Sequence, residues 1–182
     1  MSVAGPPQDA KAPSGGSDLA QRGSVGAHMT AAADLLYQEV VVEHKRAPRH
    51  FGKLAAPTHE ARGRNPQCGD EVEVQLRLQD GRVADIAFHG QGCAICIASS
   101  SMMTEAVLGR DLEAARELQR RFRAVLTGHA EPDPAALGKL VSLSGVCRYP
   151  SRIKCALLGW HALMHAIGEG SDAPFGASKA LP

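Results

Sequence analysis

The stretch Glu71-Val72-Glu73-Val74-Gln75-Leu76-Arg77-Leu78-Gln79-Asp80-Gly81-Arg82-Val83-Ala84-Asp85-Ile86-Ala87-Phe88 decides the fold. Val72, Val74, Leu76 and Leu78 alternate strictly with Glu71, Glu73, Gln75, Arg77 and Gln79, the period of a strand with one dry and one wet face. Asp80-Gly81 is a hairpin signal, and Ala84, Ile86 and Phe88 alternate on the return strand. A two-residue loop would set Asp85 opposite Leu76 on the core face. An odd-length loop aligns the two apolar faces and is the expected solution.

Upstream of this hairpin, an irregular stretch holding Pro57 and Pro66 has room for one short edge strand near residues 60–64. Before it, Leu35, Leu36, Val40 and Val41 recur at helical spacing, predicting a helix over about 32–45 that Pro48 stops. Downstream, the period turns helical at Cys93, with Ile95, Ala98, Met102 and Ala106 on one face and Gly109 at the end. Asp111 is a good N-cap for a further helix presenting Ala115, Leu118, Phe122, Val125 and Leu126, with Gly128 as its stop. A short helix is expected over 137–143. A last one opens at Pro150 and buries Ile153, Ala156, Leu157, Trp160, Leu163, Met164 and Ile167. The expected class is α+β: a small three-stranded antiparallel sheet with helices packed on one face.

The chain has 182 residues, enough for one domain with a real core, expected over residues 31–168. Residues 1–30, rich in Gly, Pro, Ser and Ala, read as a disordered tail, and residues 169–182 as a flexible C-terminal tail. Met29 is an alternative start. The N-terminal segment has no hydrophobic run, and its Lys11 and Arg22 are opposed by Asp9 and Asp18, unlike a secretory or mitochondrial leader. Lys plus Arg is 20 against 19 Asp plus Glu, with no basic block, so neither nucleic acid nor a membrane surface is an expected partner. No apolar stretch approaches the ~20 residues of a spanning helix. The expected location is cytoplasmic. There, five cysteines point to metal binding or reactivity rather than disulfides.

Three of the cysteines sit in suggestive settings. Cys68-Gly69-Asp70 immediately precedes the alternating strand, where positions i and i+2 of extended chain point the same way. Cys93, in Gly90-Gln91-Gly92-Cys93, lies where the chain leaves the return strand, so the hairpin brings it back towards Cys68. Cys155 falls in the first turns of the last helix, where amide donors and the dipole favour thiolate. Three thiolates and a carboxylate make a four-ligand shell suited to Zn²⁺ or to a thiolate-rich iron site. The carboxylate is its weak member, which favours exchange over bracing.

The segments Asn65-Pro66-Gln67-Cys68-Gly69-Asp70, Gly90-Gln91-Gly92-Cys93-Ala94-Ile95 with Ala98-Ser99-Ser100-Ser101-Met102-Met103, and Arg152-Ile153-Lys154-Cys155 resemble the U-type iron–sulfur assembly proteins: SufU, IscU and the N-terminal domain of NifU. The resemblance spans about residues 35–167 and is greatest to SufU. Lys154 stands where IscU proteins carry His, and Tyr149-Pro150-Ser151-Arg152-Ile153-Lys154 replaces the IscU chaperone-recognition motif. The resemblance implies a Zn²⁺ site made by Cys68, Asp70, Cys93 and Cys155, with Arg152 and Lys154 in support. It implies that Cys68 accepts persulfide sulfur from a SufS-type cysteine desulfurase and passes it to downstream Fe–S scaffold or acceptor proteins, as a carrier and co-substrate rather than an enzyme in itself. The alternative is a scaffold on which iron or a [2Fe-2S] or [4Fe-4S] cluster is held by the same cysteines. A purely structural zinc knot is the third reading.

Cys96, three residues into a helix from Cys93, can in principle reach the same metal, and Cys147 is a further thiol. Both read more simply as small buried hydrophobes. His161 and His165 are spaced i, i+4, but Ala162 stands where a zinc protease has Glu. His44 and His50 read as solvated, and Arg120, Arg121 and Arg123 as a wet helix face.

Overall fold

The computed structural model describes residues 31–168, apart from Met1, and side chains from residue 38 onward. The two expected tails lie outside the described residues. The elements in order are α1 (Ala31–Arg46), β1 (His59–Asn65), β2 (Asp70–Gln79), β3 (Arg82–Gln91), α2 (Ala94–Val107), α3 (Leu112–Leu126), α4 (Pro134–Leu137), a 3-10 segment (Gly138–Arg148) and α5 (Pro150–Ala166). The strands form one antiparallel sheet in the order β1-β2-β3. α5 packs on β1 and β2, and α2 packs on β3, on α5 and beneath α1. The architecture is α+β, as the hydrophobic periods require.

Val72, Val74 and Leu76 of β2 and Ile86 and Phe88 of β3 are buried in the core with Phe122, Trp160 and Leu163. The register is reached differently from the expectation. The loop is the two-residue Asp80-Gly81 turn, with φ of 51° and 71°, the left-handed pair of a tight hairpin. The parity problem is solved by a bulge: Leu78 pairs with Val83 and Arg77 with Asp85, leaving Ala84 unmatched and exposed. Val83 is buried instead, its amide donating to the Arg110 carbonyl and its carbonyl accepting from Gly109.

The wet face of β2 is also drier than its alternation predicts. Glu73 and Gln75 are buried because β2 is the central strand and its neighbours roof it over. Arg62 of β1 and His89 of β3 both reach Glu73, and Gln75 donates to Glu73 and Glu60. These pairs hold the Glu73 carboxyl below the usual carboxylate range, although burial alone pushes it up.

His44 is a second correction: it is buried, not solvated. Its Nδ1 meets Ser101 Oγ at 2.8 Å, and the Arg49 amide donates to the same oxygen at 2.7 Å. α1 therefore docks on α2 through a polar knot at the serine run. Burial lowers the His44 pKa against the opposing pull of Glu105. The helix expected over 137–143 is instead the single turn of α4 followed by 3-10 structure, since Gly138 leaves helical geometry at φ 54°.

Candidate metal and sulfur site

The site is built where the sheet meets two helix starts. β1 ends at Asn65 and β2 begins at Asp70, which pair with each other, so residues 66–69 form the turn that carries Cys68. Asn65 is buried and ties this turn down. Its side chain accepts from the Gln67 amide at 3.1 Å, and its carbonyl accepts from the Gly69 amide at 2.9 Å. Lys154 Nζ donates to Gln67 Oε1 at 3.0 Å, linking α5 to the same turn.

β3 returns beside this corner, with Gln91 opposite Glu71. At Gly90 (φ 152°) a Cβ would run into the Glu71 carbonyl, so only glycine lets β3 approach there. Cys93 follows as the N-cap of α2, with Ile97 N donating to its carbonyl at 3.1 Å. Its own amide donates to Asp70 Oδ1 at 3.1 Å. Asp70 thus fixes the start of α2 with one oxygen. Its other oxygen, Oδ2, is buried without a hydrogen-bond partner.

Cys155 arrives from α5. Its Sγ lies 3.9 Å from Cys68 Sγ, and ligand atoms of Cys68, Asp70 and Cys155 all fall within 4.8 Å of one another. Among the described residues this is the one group of three or more such side chains close enough to hold a metal ion. Cys93 stands beside the trio rather than within that radius. Its thiol interacts with Cys155 and with Arg152. The four predicted residues therefore converge on one corner, three tightly and one alongside.

Exposure differs across the set: Cys68 is exposed, Cys93 half-buried and Cys155 buried. At Cys155 the helix-start preference for thiolate is outweighed by the surroundings of the thiol. Burial, then the neighbouring Cys93, Asp70 and Cys68, pushes its thiol up rather than down. Crowded acidic donors disfavour one another's charge, and a divalent cation would relieve that penalty. The donor chemistry and the unpartnered Asp70 oxygen both fit a bound metal. The Arg152 guanidinium is held more firmly protonated by Cys93 and Cys155, as an arginine beside the site should be.

The remaining cysteines diverge. Cys96 is fully buried, as a small hydrophobe would be, and burial raises its thiol pKa strongly. Cys147 is exposed at the end of the 3-10 segment, contrary to the expectation of burial. Lys45 Nζ donates to the Gly92 carbonyl at 3.1 Å, a contact not foreseen. Nothing in the spacing of Lys45 marks it, because the approach of α1 to the site depends on tertiary packing. His161 and His165 are half-buried on α5.

The fold and this corner define a small α+β domain that presents a thiol–carboxylate cluster at a hairpin–helix junction. The chain belongs to the NifU-like N-terminal domain family, whose model matches residues 36–169. It is 40% identical over 138 residues to the iron–sulfur cluster assembly scaffold protein IscU of Streptococcus pyogenes serotype M1, covering 76% of this chain and 86% of that one. It is 37% identical over 139 residues to the zinc-dependent sulfurtransferase SufU of Bacillus subtilis (strain 168), covering 76% and 94%. A crystal structure of a candidate SUF-system scaffold from Fervidobacterium islandicum AW-1 superposes with a TM-score of 0.68, with 31% identity over 73% of this chain and 97% of that one.

Proposed function

We propose that this protein serves iron–sulfur cluster assembly as a zinc-bound sulfur acceptor, with Cys68, Asp70, Cys93 and Cys155 holding the metal and Cys68 accepting the sulfur. The single observation that supports it best is the gradient of exposure: one reachable thiol backed by a half-buried and a buried one. Zinc bound there would keep the thiols deprotonated and shielded until a partner arrives.

Cys68 sits on a turn at the sheet's end, where the persulfide of a SufS-type cysteine desulfurase can reach it. Its thiolate attacks the terminal sulfur of that persulfide. The sulfur–sulfur bond of the donor breaks, a new one forms on Cys68, and the donor cysteine leaves as thiolate. The sulfur then passes to a downstream Fe–S scaffold or acceptor protein. Arg152, beside Cys93 and Cys155, steadies the negative charge of the corner, and Lys154 positions the Cys68 turn through Gln67. The setting is the cytoplasm, where thiols stay reduced. The described residues include no helix long and apolar enough to cross a membrane.

A second reading, a scaffold that holds an Fe–S cluster on Cys68, Cys93 and Cys155, draws on the likeness to the streptococcal scaffold. Metal and sulfide analysis of protein purified without reconstitution separates the two: zinc without sulfide is expected, and iron with sulfide would favour the scaffold. Desulfurase turnover measured with and without the protein tests sulfur acceptance. Cys68→Ala should abolish stimulation, and a Cys68→Ala protein that stimulated like the parent would remove the proposal.

A further inference from the structure

Cys93-Ala94-Ile95-Cys96 crosses a strand-to-helix junction. Cys93 is the N-cap of α2 and Cys96 lies in its first turn. Residues three apart on a helix are neighbours, with Cβ atoms ≈ 5–6 Å apart, close to what a disulfide needs after small adjustment. Two cysteines in this arrangement, the first at a helix start, form the usual dithiol redox unit. Here the first is half-buried and reachable, and the second is fully buried behind it.

Cys96 is a core residue that also borders the site. A Cβ built on Gly92 would lie 3.0 Å from Cys96 Sγ and 3.2 Å from Asp70 Cγ, so thiol and carboxylate flank one small gap that glycine leaves open. The carboxylate on that gap is the one with the buried, unpartnered oxygen.

We propose that Cys93 and Cys96 form an oxidation site that takes hydroperoxides, with Cys93 attacked first and Cys96 as the resolving thiol. The Cys93 thiolate attacks the peroxide oxygen, the O–O bond breaks, and the alcohol or water leaves; Cys93 becomes a sulfenic acid. The Cys96 sulfur then displaces the hydroxyl, which departs as water with the Cys96 proton, and the Cys93–Cys96 disulfide is formed. Two electrons pass from the thiol pair to the peroxide. Closing the disulfide removes Cys93 from the metal-holding corner, a consequence that rests on the ligand set proposed above. The disulfide itself does not depend on that set.

Exposure of the full chain, as purified, to hydrogen peroxide tests this. Cys93 and Cys96 share one tryptic peptide, since no Lys or Arg lies between Arg82 and Arg110. The expected product is that peptide lighter by the two thiol hydrogens, restored by a dithiol reductant, with metal released to a chromogenic chelator in step. Cys96→Ser and Cys96→Ala should each slow metal release by about tenfold and leave Cys93 to run on to sulfinic acid. A disulfide formed while metal stays bound upholds the pair and removes Cys93 from the ligand set. A cross-link between Cys68 and Cys155 in place of Cys93–Cys96, or metal release at parental rate from both variants, would overturn the proposal.

Discussion

Two buried polar clusters flank α2, one at its start and one from its middle onward, and they differ in what their groups face. At the C-terminal half, Ser101 Oγ accepts the Arg49 amide and bonds His44 Nδ1, while Thr104 donates to the Ser101 carbonyl. At the N-terminal end, Asp70 spends one oxygen on the Cys93 amide and leaves the other buried and unpartnered. Leaving such a group unmade costs about 1–3 kcal/mol, whereas a complete network stabilises modestly. Around Ser101 the open atom is Glu105 Oε2, which has the His44 ring facing it at 3.7 Å. At Asp70 the open oxygen faces two thiols close enough to share a metal ion with it.

Asp70→Ala sharpens this contrast most. Metal affinity should fall by on the order of a hundredfold. The metal-free protein, by contrast, should change in stability by less than about 1 kcal/mol, because the lost Cys93 hydrogen bond is offset by removal of the unpartnered oxygen. Metal titration and thermal unfolding of the stripped protein measure the two sides. Comparable loss in both would place Asp70 among the architectural groups. His44→Ala should show the converse pattern. It leaves Ser101 Oγ with the Arg49 amide alone and opens a gap between α1 and α2, costing about 2 kcal/mol, with metal content unchanged. Loss of metal in that variant would break the separation between the two clusters.

The sequence made one of these clusters legible and not the other, for a physical reason. Cys68, Asp70, Cys93 and Cys155 are chemically unusual side chains, and hairpin topology alone predicts that the first three meet. His44 is ordinary in kind, and its burial comes from α1 lying on α2. A trace was available: His44 follows Val40 by four residues and Val41 by three, so it shares their inward face. Ala84 and Val83 were exchanged for a related reason. Alternation gives the faces of a strand, but a bulge changes which residues occupy them, and this bulge is fixed by hydrogen bonds to Gly109 and Arg110 from a later element. Glu73 and Gln75 look wet in a single strand and become buried only when two neighbours flank it.

The cluster around Ser101 should also give the fold an acid limit. His44 is held neutral by burial, opposed by Glu105 and Glu43 and assisted by Arg49 and Lys139. Burial likewise lowers His161, with Arg123 and His165 contributing. A histidine with a depressed folded pKa lets the unfolded chain bind the proton first. Stability is therefore full above the unfolded value near 6.5 and declines as pH falls below it. Glu73, also depressed, adds a second loss below about 4.5. Thermal unfolding of metal-free protein from neutral to acid pH should show both declines, and His44→Gln should flatten the first. An unchanged slope in that variant would assign the first decline to His161.

The smallest effect is expected on the outer face of α3, where charges are numerous and water does the solvating. Arg120 reaches Glu113 and Glu117, and Arg121 reaches Glu117, all on exposed side chains. Each pair exchanges hydration for a screened attraction and must also immobilise two long side chains, so the balance is near zero. Arg120→Ala and Arg121→Ala should leave the unfolding temperature and metal content at parental values. The pair still sharpens the comparison, because it separates what charge does in the open from what it does under cover. In metal affinity a single buried carboxylate at Asp70 should outweigh the whole surface array, and a measurable fall in unfolding temperature for either arginine variant would show that α3 is held by more than its apolar stripe of Leu118, Phe122 and Val125.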